Sequence, residues 1–136
     1  MSLDKESRNA MVAYRQEKAD VAIDDALFLT DAGRYNIAAN RLYYALYYAA
    51  SALLLSQGIA TKSHSGLITQ MHKNYIKTGI LTVEEGSLFR VMFDLRHEGD
   101  YEDFVDVERE DIEEYIPRVK ELVEKLKNLV EEIFRC

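Results

Sequence analysis

The sequence predicts an all-α fold, a bundle of about five antiparallel helices, on three observations. Helix breakers are scarce, with one proline and six glycines in 136 residues. Apolar residues recur three and four apart along most of the chain, with no two-residue alternation of the kind a half-buried strand shows. Between about residues 36 and 56 the chain is apolar on nearly every side, which fits a helix packed by neighbours on more than one face.

The first helix is expected over about Asp4 to Thr30, with Met11, Tyr14, Ala19, Ala22, Ala26 and Leu29 as a loose apolar stripe. Asp31, Gly33 and Asn36 then mark a tight turn between helices. The second helix, about Asn36 to Gln57, should be the centre of the bundle, and Gly58 ends it. In the connector Thr61-Lys62-Ser63-His64-Ser65-Gly66 the serines are natural N-caps for a third helix reaching about Lys77, where Gly79 stops it. Thr82 with Glu85 three residues later has the spacing of a capping box, and Leu88, Val91, Met92 and Leu95 give the fourth helix its core face as far as about Gly99. From Ile112 to Ile133 the three-and-four spacing continues to the end of the chain, and Pro117 inside it should kink that helix or mark its true start. Residues 1–136 read as one domain, a length that buries about two-thirds of the unfolded surface without a staple.

Cysteine usage and the first residues predict a cytoplasmic protein. The one cysteine, Cys136, excludes an intrachain disulfide, and Met1 to Glu6 are polar and charged, unlike a secretory signal. The longest charge-free run, Leu42 to Thr61, carries four tyrosines and a glutamine, so it reads as a buried core helix rather than a membrane span. A net charge of −7 disfavours non-specific attraction to DNA or anionic lipid by the molecule as a whole. Residues 32–83, however, contain no Asp or Glu and hold Arg34, Arg41, Lys62, Lys73 and Lys77, with His64 and His72 as titratable additions. An anionic ligand would be drawn there. The plain alternative is that a buried helix and a short connector have little room for carboxylates.

Zinc-binding spacings and the phosphate loops of nucleotide hydrolases are missing, so neither a metal nor a cofactor is expected. Two clusters remain. On the central helix stands Arg41-Leu42-Tyr43-Tyr44-Ala45-Leu46-Tyr47-Tyr48-Ala49-Ala50, where Tyr44, Tyr47 and Tyr48 share a face while the alanines at 45, 49 and 52 permit close approach of another helix. That face can equally be an aromatic core with hydroxyls reaching the rim. At the end of the fourth helix stands Arg96-His97-Glu98-Gly99-Asp100-Tyr101, of which a cation at a helix C-terminus and a glycine just beyond it are explained by capping alone.

Taken together, the Gly33-Arg34-Tyr35 turn followed by Ala38 and Ala39, the Arg41 to Ala45 stretch, the Lys62 to Gly66 connector and the Arg96 to Tyr101 segment resemble the HEPN-domain family over nearly the whole chain. The resemblance implies an up-and-down bundle of four long helices plus a short one, a homodimer with a polar groove at its seam, RNA as substrate class, and pairing with a nucleotidyltransferase. Active HEPN ribonucleases carry an arginine followed four to six residues later by a histidine, and two copies form one metal-independent endoribonuclease site. Arg96 matches the arginine, but Tyr101 stands five residues later and Asp100, Glu102 and Asp103 beside it are not histidines either. The Arg-x-x-x-Asp-Tyr form is similar to a sub-branch of small HEPN proteins.

Cleavage of RNA through its own 2′-hydroxyl needs a group that exchanges protons near neutral pH and a cation for the growing phosphate charge, and Arg96 can supply only the second. His97 follows Arg96 directly and so points about 100° away around the helix. His64 lies at a predicted helix N-terminus, where backbone donors favour anions, or it is a capping or packing residue. Asp100, one turn from Arg96, reads as an ion-pair partner that holds the arginine. Three uses stay open: a module binding RNA or a nucleotide through Arg41, Tyr44, Lys62, His64 and Arg96; an endoribonuclease toxin of a toxin–antitoxin pair, with Arg96, His97, Asp100 and Tyr101 at its centre; and a dimeric interaction scaffold.

Overall fold

The computed structural model describes residues 4–96 and 107–135. It is an all-α bundle of five helices: α1 (Lys5–Asp31), α2 (Tyr35–Ser56), α3 (His64–Met71), α4 (Val83–Leu95) and α5 (Arg109–Arg135), with no strand among the described residues. α2 is the centre, packed most extensively by α1, then by α5 and α4. Its buried residues run almost without interruption from Ala49 to Ser56, and Ala45, Ala49 and Ala52 are all in the core. No helix among the described residues is long and apolar enough to cross a membrane.

α1 begins where the Asp4 carboxylate accepts the Ser7 N–H at 2.7 Å. This bond holds the Asp4 carboxyl below its usual pKa. Its buried stripe is Val12, Ala19, Ala22, Ile23, Ala26 and Thr30, so two members of the expected stripe, Met11 and Tyr14, are 38% and 58% exposed instead. The stripe passes through Arg15, which reaches across to α2 and donates to Ser51 Oγ at 2.6 Å. A polar residue on the buried side hides the true phase of the helix. After α1, Gly33 takes φ +76° and the Arg34 N–H returns to the Leu29 carbonyl; after α2, Gly58 takes φ +81° and the Ile59 N–H returns to the Leu54 carbonyl. Both are the six-to-one closure that a left-handed glycine permits.

α3 ends earlier than the expected Lys77, passing at His72–Ile76 into a π-helical turn closed by Lys77 N–H to the His72 carbonyl. The turn buries Tyr75, whose hydroxyl bonds Gln57 and whose pKa burial pushes up to about 12. α4 starts on the expected capping box, with Glu85 N–H to Thr82 Oγ1 at 3.0 Å and Thr82 N–H to Glu85 Oε1 at 2.8 Å. Glu85 also receives Lys125 Nζ at 2.8 Å, which ties α4 to α5. Pro117 does not mark the start of α5, which begins at Arg109 and continues through it. The carbonyl orphaned by the proline belongs to Glu113, and both residues are exposed, so water can satisfy it.

Candidate functional site

The site lies where the first half of α2, the start of α3 and the end of α4 meet. Ser63 caps α3 by accepting the Gly66 N–H at 3.0 Å, which makes His64 the first helical residue and turns its ring toward α2. There His64 Nδ1 lies 2.7 Å from the hydroxyl of Tyr43, a tyrosine wholly removed from solvent. The imidazole sits in an aromatic cage, with ring centres of Tyr43, Tyr44, Tyr47 and Phe93 at 5.4, 5.8, 5.0 and 5.7 Å.

Arg96 closes α4 as its C-cap, and its guanidinium carbon lies 4.3 Å from the centre of the Phe93 ring and 5.9 Å from that of Tyr43. A cation over rings in a partly buried setting gains about 0.5–2 kcal/mol. Asn40 of α2 donates to the Arg96 carbonyl at 3.4 Å, and its side-chain oxygen accepts both Arg41 Nη2 at 2.8 Å and Arg41 Nε at 3.2 Å. Arg41 in turn lies over Tyr44 at 5.1 Å. Arg96 and His64 thus share two rings, Tyr43 and Phe93, while Arg41 joins them through Asn40 and Tyr44.

Four of the residues singled out from the sequence, Arg41, Tyr44, His64 and Arg96, therefore stand in one cluster. Lys62 is exposed on the connector two residues before His64, and no hydrogen bond or ion pair joins it to that cluster among the described residues. His97, Asp100 and Tyr101 lie outside the described residues. Sequence reasoning missed Asn40 and Phe93, and it quoted Tyr43 within the tyrosine run without giving it a role in the site. Asn40, Tyr43 and Tyr47 fall at i, i+3 and i+7 on α2, the signal that places them on one face.

A guanidinium presents a planar fork of donors that matches phosphate oxygens. The Tyr43 bond to His64 Nδ1 orients the imidazole ring.

An all-α bundle whose central helix, flanked by the end of α4 and the start of α3, carries Arg96 and His64 on two shared aromatic rings defines a small helical domain of a recognisable kind. Residues 12–129 match the model of the HEPN domain, and the chain belongs to the HEPN family. The UPF0332 protein of Thermotoga maritima is 33% identical over 129 residues, covering 95% of this chain and 98% of that one. Two proteins of Methanocaldococcus jannaschii named as candidate toxins are also similar. One is 32% identical over 97 residues, 71% of this chain and 66% of its own. The other is 28% identical over 131 residues, 96% of each.

Proposed function

We propose that this chain is the RNA- or nucleotide-binding component of a toxin–antitoxin-like pair, a homodimer that works with a nucleotidyltransferase-type partner. The observation that carries the reading is the convergence of Arg96 and His64 on the same Tyr43 and Phe93 rings. The names of the two Methanocaldococcus relatives support the toxin side of it. In this reading Arg96 takes a phosphate, Arg41 adds a second charge through its anchor on Asn40, and the exposed edges of Tyr44 and Tyr47 face a base. Fluorescence anisotropy with labelled RNA oligonucleotides and with mononucleotides tests it. A hydrogen bond to a charged group contributes about 1.5–3 kcal/mol, so Arg96→Ala should weaken binding by roughly 10- to 150-fold. Equal affinity of the variant and the unaltered protein refutes the assignment.

One observation favours cleavage as a second reading: the Tyr43 bond orients the His64 ring, which lies against the same Tyr43 and Phe93 rings as Arg96. The His64 imidazole would then take the proton of a 2′-hydroxyl as its oxygen attacks phosphorus, Arg96 would stabilise the phosphoryl charge, and the departing 5′-oxygen would take a proton from a water molecule as its bond to phosphorus breaks. Incubation with total RNA decides it, since RNA must disappear with the unaltered protein and persist with His64→Ala and Arg96→Ala. Equal degradation by all three dismisses the reading.

A further inference from the structure

Outside that cluster the cationic side chains are distributed unevenly in their pairing. On α5, Arg109, Arg118, Lys125, Lys127 and Arg135 each meet a carboxylate within 4 Å. Lys73, Lys77 and Arg90 are exposed, and among the described residues no carboxylate pairs with any of them. All three line one open depression of about 540 Å³, together with Ile68, Thr69 and His72. A second depression of about 260 Å³ shares Ile68, His72 and Arg90 and runs on to Gly86 and Val83, and neither contains an acidic residue.

Both depressions lie on the seam between α3 and α4, and that seam leads back to the site. At one end His64 meets Phe93, with ring centres 5.7 Å apart. In the middle Ile68 faces Phe89 and Arg90 across the same depression. At the far end the Ile76 side chain packs onto α4 so closely that a Cβ on Gly86 would lie 2.8 Å from Ile76 Cγ1. Here too α3 gives way to the π-helical turn, a backbone departure frequent at functional sites. Arg90 and Arg96 are six residues apart on α4, about 9 Å along the helix axis.

We propose that Lys73, Lys77 and Arg90 form an auxiliary track for the phosphate backbone of single-stranded RNA, continuing from the Arg96 and His64 site along the α3–α4 seam. The inference rests on the RNA reading of that site and adds to it a second, length-dependent contact. Continuity with the site favours RNA over an acidic protein. One strand held by its phosphate at Arg96 meets the three unpaired cations next: Arg90 on α4, and Lys73 and Lys77 in the segment 32–83 that has no carboxylates. A mononucleotide engages the first site alone, whereas an RNA of about a dozen nucleotides engages both.

The triple variant Lys73→Ala, Lys77→Ala, Arg90→Ala in the full chain tests this, with circular dichroism as the check on folding. Each phosphate neutralised on a single strand contributes about 0.7 to the slope of log K against log salt, so losing three should make the slope for the longer RNA shallower by about 2. Mononucleotide affinity should stay unchanged, and Lys73→Arg with Lys77→Arg should keep the full slope. If the unaltered protein binds neither RNA nor mononucleotide, the site reading fails and the track falls with it. If it binds RNA and the triple variant keeps the slope, the track alone is overturned. If poly-glutamate binds as tightly as RNA at equal salt and loses that binding in the triple variant, the surface docks an acidic protein and the RNA assignment is overturned.

Discussion

Replacing Gly86 by alanine should reverse its effect on stability according to what stands at position 76. In a helix interior glycine is ordinarily about 1 kcal/mol worse than alanine, so the exchange normally stabilises. Here the added Cβ would meet three atoms of one side chain, Ile76 Cγ1 at 2.8 Å, Cδ1 at 3.2 Å and Cγ2 at 3.6 Å. The first of these is next to the branch point and cannot swing away as a chain end would. Overpacking of this kind costs about 1–3 kcal/mol, which exceeds the propensity gain, so Gly86→Ala alone should be destabilising by roughly 0–2 kcal/mol. In an Ile76→Ala background the offending atoms are gone, and the same change should stabilise by up to about 1 kcal/mol. Urea unfolding of the four proteins, with midpoints compared at a common slope, gives the coupling directly. If Gly86→Ala stabilises equally in both backgrounds, the close approach of the π-helical turn to α4 is not what fixes glycine at this position.

Two further predictions concern the site and the α4 anchor. Tyr43→Phe keeps the ring but removes the hydroxyl bonded to His64 Nδ1, so it should cost about 0.5–1.5 kcal/mol; in a double-mutant cycle with His64→Ala the two losses should fall short of additivity by about that amount, and strict additivity would break the proposed link. Partial burial acts to raise the pKa of Glu85, but the hydrogen bond from Lys125, the Thr82 N–H and the lysine charge outweigh it and hold the carboxyl below its ordinary value of about 4.3. Its contribution is therefore present above about pH 4.3 and is lost as pH falls through the depressed value, so Glu85→Gln should cost about 0.5–1 kcal/mol at pH 7 and progressively less below pH 4. A difference in urea midpoint that stays constant from pH 7 to pH 3 would show that the charge of Glu85 contributes nothing.

The parts of the fold legible in the sequence are those written in local chemistry. Thr82 and Glu85 announce the start of α4, Ser63 that of α3, and Gly58 the end of α2, because capping involves residues three or four apart. The phase of α1 was legible at Ala19, Ala22 and Ala26 but not in its first half, where Met11 and Tyr14 are exposed and Arg15 is satisfied by a serine 36 positions away. That Pro117 does not mark the start of α5 was hidden for a related reason: its cost depends on whether the carbonyl it orphans can reach water, which is a matter of tertiary position. In the site, Arg41, Tyr44, His64 and Arg96 were visible as residue types. Their meeting point was not, since Tyr43 reaches His64 across two helices and 21 residues. The tyrosine run drew attention to the partly exposed Tyr44, Tyr47 and Tyr48, whereas the one that engages the imidazole is the buried Tyr43 beside them.

That arrangement also explains how a chain of net charge −7 can present a surface to an anion. The acid-free segment 32–83 folds into α2, α3 and the π-helical turn, so the α3 side of the α3–α4 seam carries no carboxylate and none lines the two depressions on it. α4 adds Arg90 and Arg96, and of its three acidic residues Glu84 and Glu85 lie on the side toward α5, where Glu85 bonds Lys125, while Asp94 is exposed and lines neither depression. α1 and α5 hold most of the described acidic residues, and four of these, Asp20, Glu113, Glu114 and Glu131, pair with cations of α5. Beyond a Debye length of about 8 Å at physiological salt the negative remainder is largely screened, so an approaching phosphate responds mainly to the seam. Raising salt should therefore weaken binding of RNA, as expected of attraction to a local cationic face, although the molecule as a whole carries the same sign of charge as its ligand.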